Sequence, residues 1–154
     1  MKVNQLAQVA LLLWAVTIAV LIWFFARGSN ATVSDDRTVI VLQPEQRELV
    51  LTEMRGLLAA TQGILEGANQ NDMPRIIEAA RTAGMAAMVD VNPAMMSKLP
   101  IEFKALSMDI HHDMDAIAKA AEDGKAAAEL LKMTSSTLTK CVACHAVWQI
   151  RSDG

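Results

Sequence analysis

The sequence has no tyrosine, only two cysteines, four prolines and seven glycines among its 154 residues. So few turn-formers and aromatics exclude a many-stranded β-sandwich, and two cysteines exclude a disulfide-stapled scaffold. Nor is there an excess of basic residues: 14 Lys and Arg face 17 Asp and Glu, a formal charge of -3. A nucleic-acid binder should show a basic stripe, so no nucleic acid is expected as a partner. Four of the six aromatics, Trp14, Trp23, Phe24 and Phe25, lie before residue 26, which leaves Phe103 and Trp148 for the rest of the chain. Aromatics supply much of an ordinary core's buried area. Here the core must be filled by Leu, Ile, Met and Ala, or by something that is not an amino acid.

What is present begins with a hydrocarbon run. Leu6 to Ala26 carries no charge. Val9 to Ala26 alone, as a helix, spans about 27 Å, close to the bilayer core. A secretory apolar stretch is shorter, typically ~7–15 residues. Trp23, Phe24 and Phe25 sit at one end, where an interfacial belt belongs. Residues 1–27 therefore read as an uncleaved signal anchor, a single transmembrane helix in contact with lipid. The competing reading is a long signal peptide removed near Ser29-Asn30-Ala31. Either one exports the remaining chain. Lys2 and Arg27 balance across the span and give no orientation.

Residues 28–43 read as a linker, with Val39-Ile40-Val41-Leu42 as a short extended segment that could dock on the domain. A flexible chain of ~16 residues would reach roughly 20–24 Å. Residues 44–154 form the domain. Pro44 opens a helix whose Val50, Met54, Leu57, Thr61 and Ile64 share one face, ending near Gly67. A second helix runs from Asp72, with Pro74 just inside, to Val89. A loop covers Val91 to Pro100. A third helix runs from Ile101 to Asp123, where Gly124 stops it. A fourth runs from Lys125 to Ile150. The expected fold class is all-α: an antiparallel four-helix bundle preceded by one transmembrane helix.

Cys141-Val142-Ala143-Cys144-His145 is the pattern C-x-x-C-H, which attaches c-type haem. Two thiols three residues apart can add to the two vinyl groups on one porphyrin edge, and the adjoining imidazole then falls under the iron. A thioredoxin-like pair would want a βαβ context, and a zinc site further ligands. Haem attachment is favoured over a structural or redox pair, and one covalent haem c would supply the bulky core element the aromatics do not. Covalent haem is matured outside the cytoplasm, which puts the N-terminus inside and the domain outside.

A C-x-x-C-H on the last helix of a four-helix bundle resembles the cytochrome c′ family and its low-spin, methionine-ligated branch. The likeness covers about residues 44–151. It rests on Cys141, Cys144, His145, the helix count and Leu99-Pro100-Ile101-Glu102-Phe103 opening the third helix. The anchor lies outside the usual pattern. The resemblance implies His145 as proximal iron ligand and a distal residue on the first helix. Met54 is the only methionine there and is the candidate distal ligand; the other reading makes it a core filler, with Val50, Leu51 or Leu58 walling an open distal site. Where family members carry a basic residue four positions after the histidine this chain has Gln149, which weakens a gas-capturing role. Trp148 is expected to pack on the haem, and Arg55 either to meet a propionate or to make a surface salt bridge. His111 borders the apolar stripe and His112 faces water. Adjacent residues on a helix point about 100° apart and cannot share one site.

The expected function is electron transport: a membrane-anchored monohaem cytochrome of the bacterial inner membrane, single-pass, with its C-terminal domain in the periplasm. It is not expected to be an enzyme, because no nucleophile–base or acid pair is visible. Redox proteins are the expected partners, alone or within a larger membrane complex. The family's habit of pairing through its first two helices adds a homodimer. All 17 acidic residues but only 12 basic ones follow Arg27, so a partner with a basic patch is favoured. Two rivals stay open: a five-coordinate cytochrome c′ that binds NO or CO, and an accessory haem subunit of a respiratory or photosynthetic complex.

Overall fold

A computed structural model describes residues 5–27, 30–32, 36–88 and 92–152. The first helix, α1, spans Gln5–Arg27. It is long and apolar enough to cross a membrane or to act as a signal sequence. Apart from half-buried Ile18, its large side chains from Val9 to Phe25 stand exposed, as they would if lipid rather than protein were to cover them. At its end Trp23 meets Phe24 edge-on, and the Arg27 guanidinium lies 5.1 Å from the Trp23 ring centre.

The chain that reads as a linker is built into a sheet. Strand β1 (Asn30–Thr32) pairs antiparallel with β2 (Thr38–Leu42). A third strand, β3 (Trp148–Ser152), pairs parallel with β2, from Thr38 opposite Trp148 to Leu42 opposite Ser152. Outside this small sheet the regular elements are all helices, as expected for the all-α class. Val39, Ile40 and Leu42 are buried. β-branched residues bounded by polar ones favour the extended state, and β3 supplies the partner that a lone segment lacks.

Helix α2 is Pro44–Gln70. It continues past Gly67 because that glycine is a contact point and not a stop. A Cβ there would fall 2.7 Å from Ile76 Cγ1, and one on Gly63 2.7 Å from the Ala79 Cβ. The stop is Asn71, in the left-handed conformation with φ 56, a recurrent helix terminator. Asp72 caps α3 (Met73–Thr82) by accepting from the Arg75 N–H at 3.1 Å. That helix ends well before Val89. Gly84 passes the Asp115 carboxylate with no room for a side chain, and Asp115 accepts from the Met85 N–H at 3.0 Å. A 3₁₀ turn then covers Met85–Met88; residues 89–91, where the sequence reading ends this helix, lie outside the described ones. The expected loop before Pro100 contains a short helix α4, Pro93–Met96, capped by Asn92. Helix α5 is Ile101–Glu122, and Gly124 follows with φ 78. Helix α6 is Ala127–Val147. It stops three residues short of Ile150 because Trp148 turns extended and enters the sheet.

The helices pack in the sequence α2 on α3, α3 on α5, α5 on α6 and α6 on α2. Their buried residues form two clusters. One, with Ile64, Ile76, Ala80, Met114, Ile117 and Leu130, fills the part away from the sheet. The other joins Ile40 and Leu42 of β2 to Val50, Met95, Leu99 and Phe103.

Candidate functional site

Between the two clusters lies a cavity of about 440 Å³. Met114 and Leu57 of the first cluster and Val50, Leu99 and Phe103 of the second line it, so the core is interrupted and not merely pitted. Part of its wall is apolar surface open to water: Leu58 is 71% exposed and Leu138 38%. An apolar cavity with an open mouth is a candidate binding site.

The pentapeptide sits on the last turns of α6, and Cys141, Cys144 and His145 all line the cavity. A helix puts residues three and four apart on one face, which is why 141, 144 and 145 arrive together. Both thiols are free and half-buried. Burial pushes each thiol up from its ordinary value, helped by Asp113 near Cys141 and by Cys141 near Cys144. A redox-active or metal-binding cysteine sits instead in surroundings that lower its pKa. Among the described residues, no three His, Cys, Asp or Glu side chains are placed to hold a bare metal ion. Two thiols and an imidazole on an apolar wall are the donor set that a covalently attached, flat macrocycle would use: sulfur anchors and an iron ligand.

Helix α2 supplies the facing wall. Met54 lines the cavity, and so do Val50, Leu51 and Leu58. The structure thus gathers the candidate distal ligand and the residues of the alternative reading in one place. Met88, Met95, Met96 and Met114 line it too; soft, unbranched thioethers suit an irregular space. Arg55 is at the cavity and ion-pairs with Glu48, with the Thr52 hydroxyl as a second acceptor. Trp148 does not line the cavity. It lies behind Phe103, ring centres 6.2 Å apart and planes at 85°, and Phe103 faces the space.

His111 is fully buried, whereas His112 is exposed. The His111 Nδ1 is 2.7 Å from the Ala83 carbonyl oxygen and its Nε2 2.6 Å from Glu53 Oε1. Both partners only accept, so both ring nitrogens donate when the imidazole is protonated. The hydrogen bond to Glu53 holds the imidazole above its ordinary value against the opposing effect of burial. Glu53 lines the cavity beside Met54. This pair, and the buried Lys104 that also lines the space, are absent from the sequence reading. Their signal is spacing: Lys104, Ser107, His111, Met114 and Ala118 step by three and four along α5, a stripe whose polar members hide its burial.

No family model, curated protein or solved structure matches the chain.

Proposed function

We propose that this chain is a membrane-anchored monohaem c-type cytochrome that transfers electrons on the periplasmic face of a bacterial inner membrane. The observation that carries the reading is that Cys141, Cys144 and His145 share one apolar cavity with Met54. In it, α2, α3, α5 and α6 make a four-helix bundle of the cytochrome c′ type. Cys141 and Cys144 would hold the haem through thioethers, and His145 and Met54 would ligate its iron. The haem would supply one-electron chemistry at that iron. The chain's own residues do the rest. The two thioethers would keep the macrocycle in place through oxidation and reduction. Val50, Leu99 and Phe103 exclude water, and a thioether opposite an imidazole suits electron transfer. Arg55 brings positive charge to the same space, suited to a haem carboxylate. No catalytic step is assigned to any residue. A redox protein is the partner, with the acidic domain favouring a basic docking patch.

A second reading has its own observation. Val50, Leu51 and Leu58 line the cavity as well, so without Met54 on the iron they would wall an open site for NO or CO. The optical spectrum of the purified full chain, oxidised and reduced, with and without CO, separates the two. Electron transfer through His145 and Met54 gives a sharp reduced α-band, no CO shift, and a ferric methionine-to-iron band that Met54→Ala abolishes. A broad high-spin reduced spectrum that shifts with CO replaces the Met54 assignment by the gas-binding one. Absence of covalent haem by mass spectrometry of protein matured in a haem-attaching host would sink both.

A further inference from the structure

Lys104 is 8% exposed, an unusual place for an ammonium, which needs partners in place of water. Among the described residues its partners are not carboxylates. Its Nζ donates to the Met96 carbonyl at 3.3 Å and to the Phe25 carbonyl at 3.5 Å, and lies 4.0 Å from the centre of the Phe25 ring. Two of the three contacts thus belong to α1, the membrane-type helix. Phe25 O is one of the last four carbonyls of that helix, which have no acceptor role inside it. A lysine there satisfies the carbonyl and complements the negative end of the helix dipole, while the ring face attracts the same charge. Were α1 to swing away, Lys104 would keep the Met96 carbonyl and lose both other contacts.

The covalent path is equally short. Only residues 28 and 29 separate α1 from β1, a span of at most about 11 Å. β1 is paired to β2, and β2 to β3, which opens three residues after His145. The end of α1 and the pentapeptide are therefore joined twice: through the sheet, and through Lys104 of α5.

We propose that Lys104 locks the end of α1 onto the domain, so that anchor and domain form one rigid body, and the cavity stands at a set height and tilt over the bilayer. This is the opposite of a head on a leash. The docking itself is independent of the electron-transfer reading. Its consequence for the partner rests on that reading: the domain meets an integral membrane redox protein by movement in the membrane plane, not by swinging towards it.

The test is the distance between two spin labels on the full chain in lipid nanodiscs. Genetically encoded keto residues at Val20 of α1 and Ala116 of α5 carry the labels and leave the cysteines untouched. The expected result is one narrow distance distribution, roughly twofold broader in Lys104→Met, with a cooperative melt of the domain retained. Phe25→Leu, which removes the ring from the anchor side and leaves every domain side chain in place, should broaden it in the same direction and decides if Lys104→Met does not fold. A broad distribution in the unaltered chain overturns the docking. Equal, narrow distributions in both variants overturn Lys104 as the lock. The labels report position and not haem, so either failure is distinct from failure of the optical test.

Discussion

The Glu53–His111 pair illustrates how one side chain couples two helices. Its removal leaves the Ala83 carbonyl and a half-buried carboxylate without a donor, so His111→Gln should destabilise the domain by about 1–3 kcal/mol. The sign of the pH effect follows from the shift. The folded imidazole binds its proton more tightly than the unfolded one. That contribution is fully present below the ordinary value of 6.5 and is lost as pH rises through the raised, folded value. Thermal melts from about pH 5 to about pH 9 should show this decline in the unaltered chain and a flatter profile in His111→Gln. Identical profiles would remove the ion pair from the account. At this scale the sequence is partly transparent. Cys141, Cys144 and His145 are visible because their spacing has a chemical reason, and Met54 because it lies on the apolar face. Glu53 and Lys104 are not, since a charged residue reads as exposed until its partners, His111 and Phe25 among them, are brought in from distant segments.

Among the elements, the contact of α2 with α3 turns on two glycines. Gly63 and Gly67 let the helices approach to a separation that a methyl group would block. Gly63→Ala should therefore cost stability by overpacking, about 1–3 kcal/mol less the small gain in helix propensity. Gly56 lies in the same helix with nothing within 4 Å of a Cβ. Gly56→Ala should stabilise by about 0.5–1 kcal/mol. Denaturant titration of both variants checks the pair, and equal effects would show that the close approach does not matter. Helix starts were legible at Pro44, Asp72 and Ile101, each with a local cause in its own residues. The ends at Gly67, Val89 and Ile150 were not. They depend on Ile76, Asp115 and β2, which are remote in sequence. The sheet was half-visible: Val39–Leu42 reads as extended, but its partner strand follows directly on a helical pattern, and nothing local ends that pattern at Trp148.

For the whole molecule, the cavity divides the core, and a group that filled it would bridge the two halves. Covering Leu58 and Leu138 alone is worth on the order of 3 kcal/mol, or about 6–12 °C in melting midpoint for a chain of this length. The double variant Cys141→Ser with Cys144→Ser, unable to hold haem covalently, should melt lower by at least that much. An unchanged midpoint would mean that the cavity is not a site for a tightly held group. The scarcity of aromatics after residue 26 has its counterpart in the cavity wall, where Phe103 is the one aromatic lining residue.

The parallel pairing of β2 with β3 also sets a clock. Thr38 and Trp148 are partners about 110 residues apart, and at ~5–20 residues per second of synthesis the second strand follows the first by roughly 5–20 s. During that interval β2 has β1 on one edge and nothing on the other, while every helix between them can already coil. Long-range strand pairing closes late in any case. Here the order of emergence makes it last: the segment bearing the cysteines is tied to the base of the anchor only after nearly everything before it has been made.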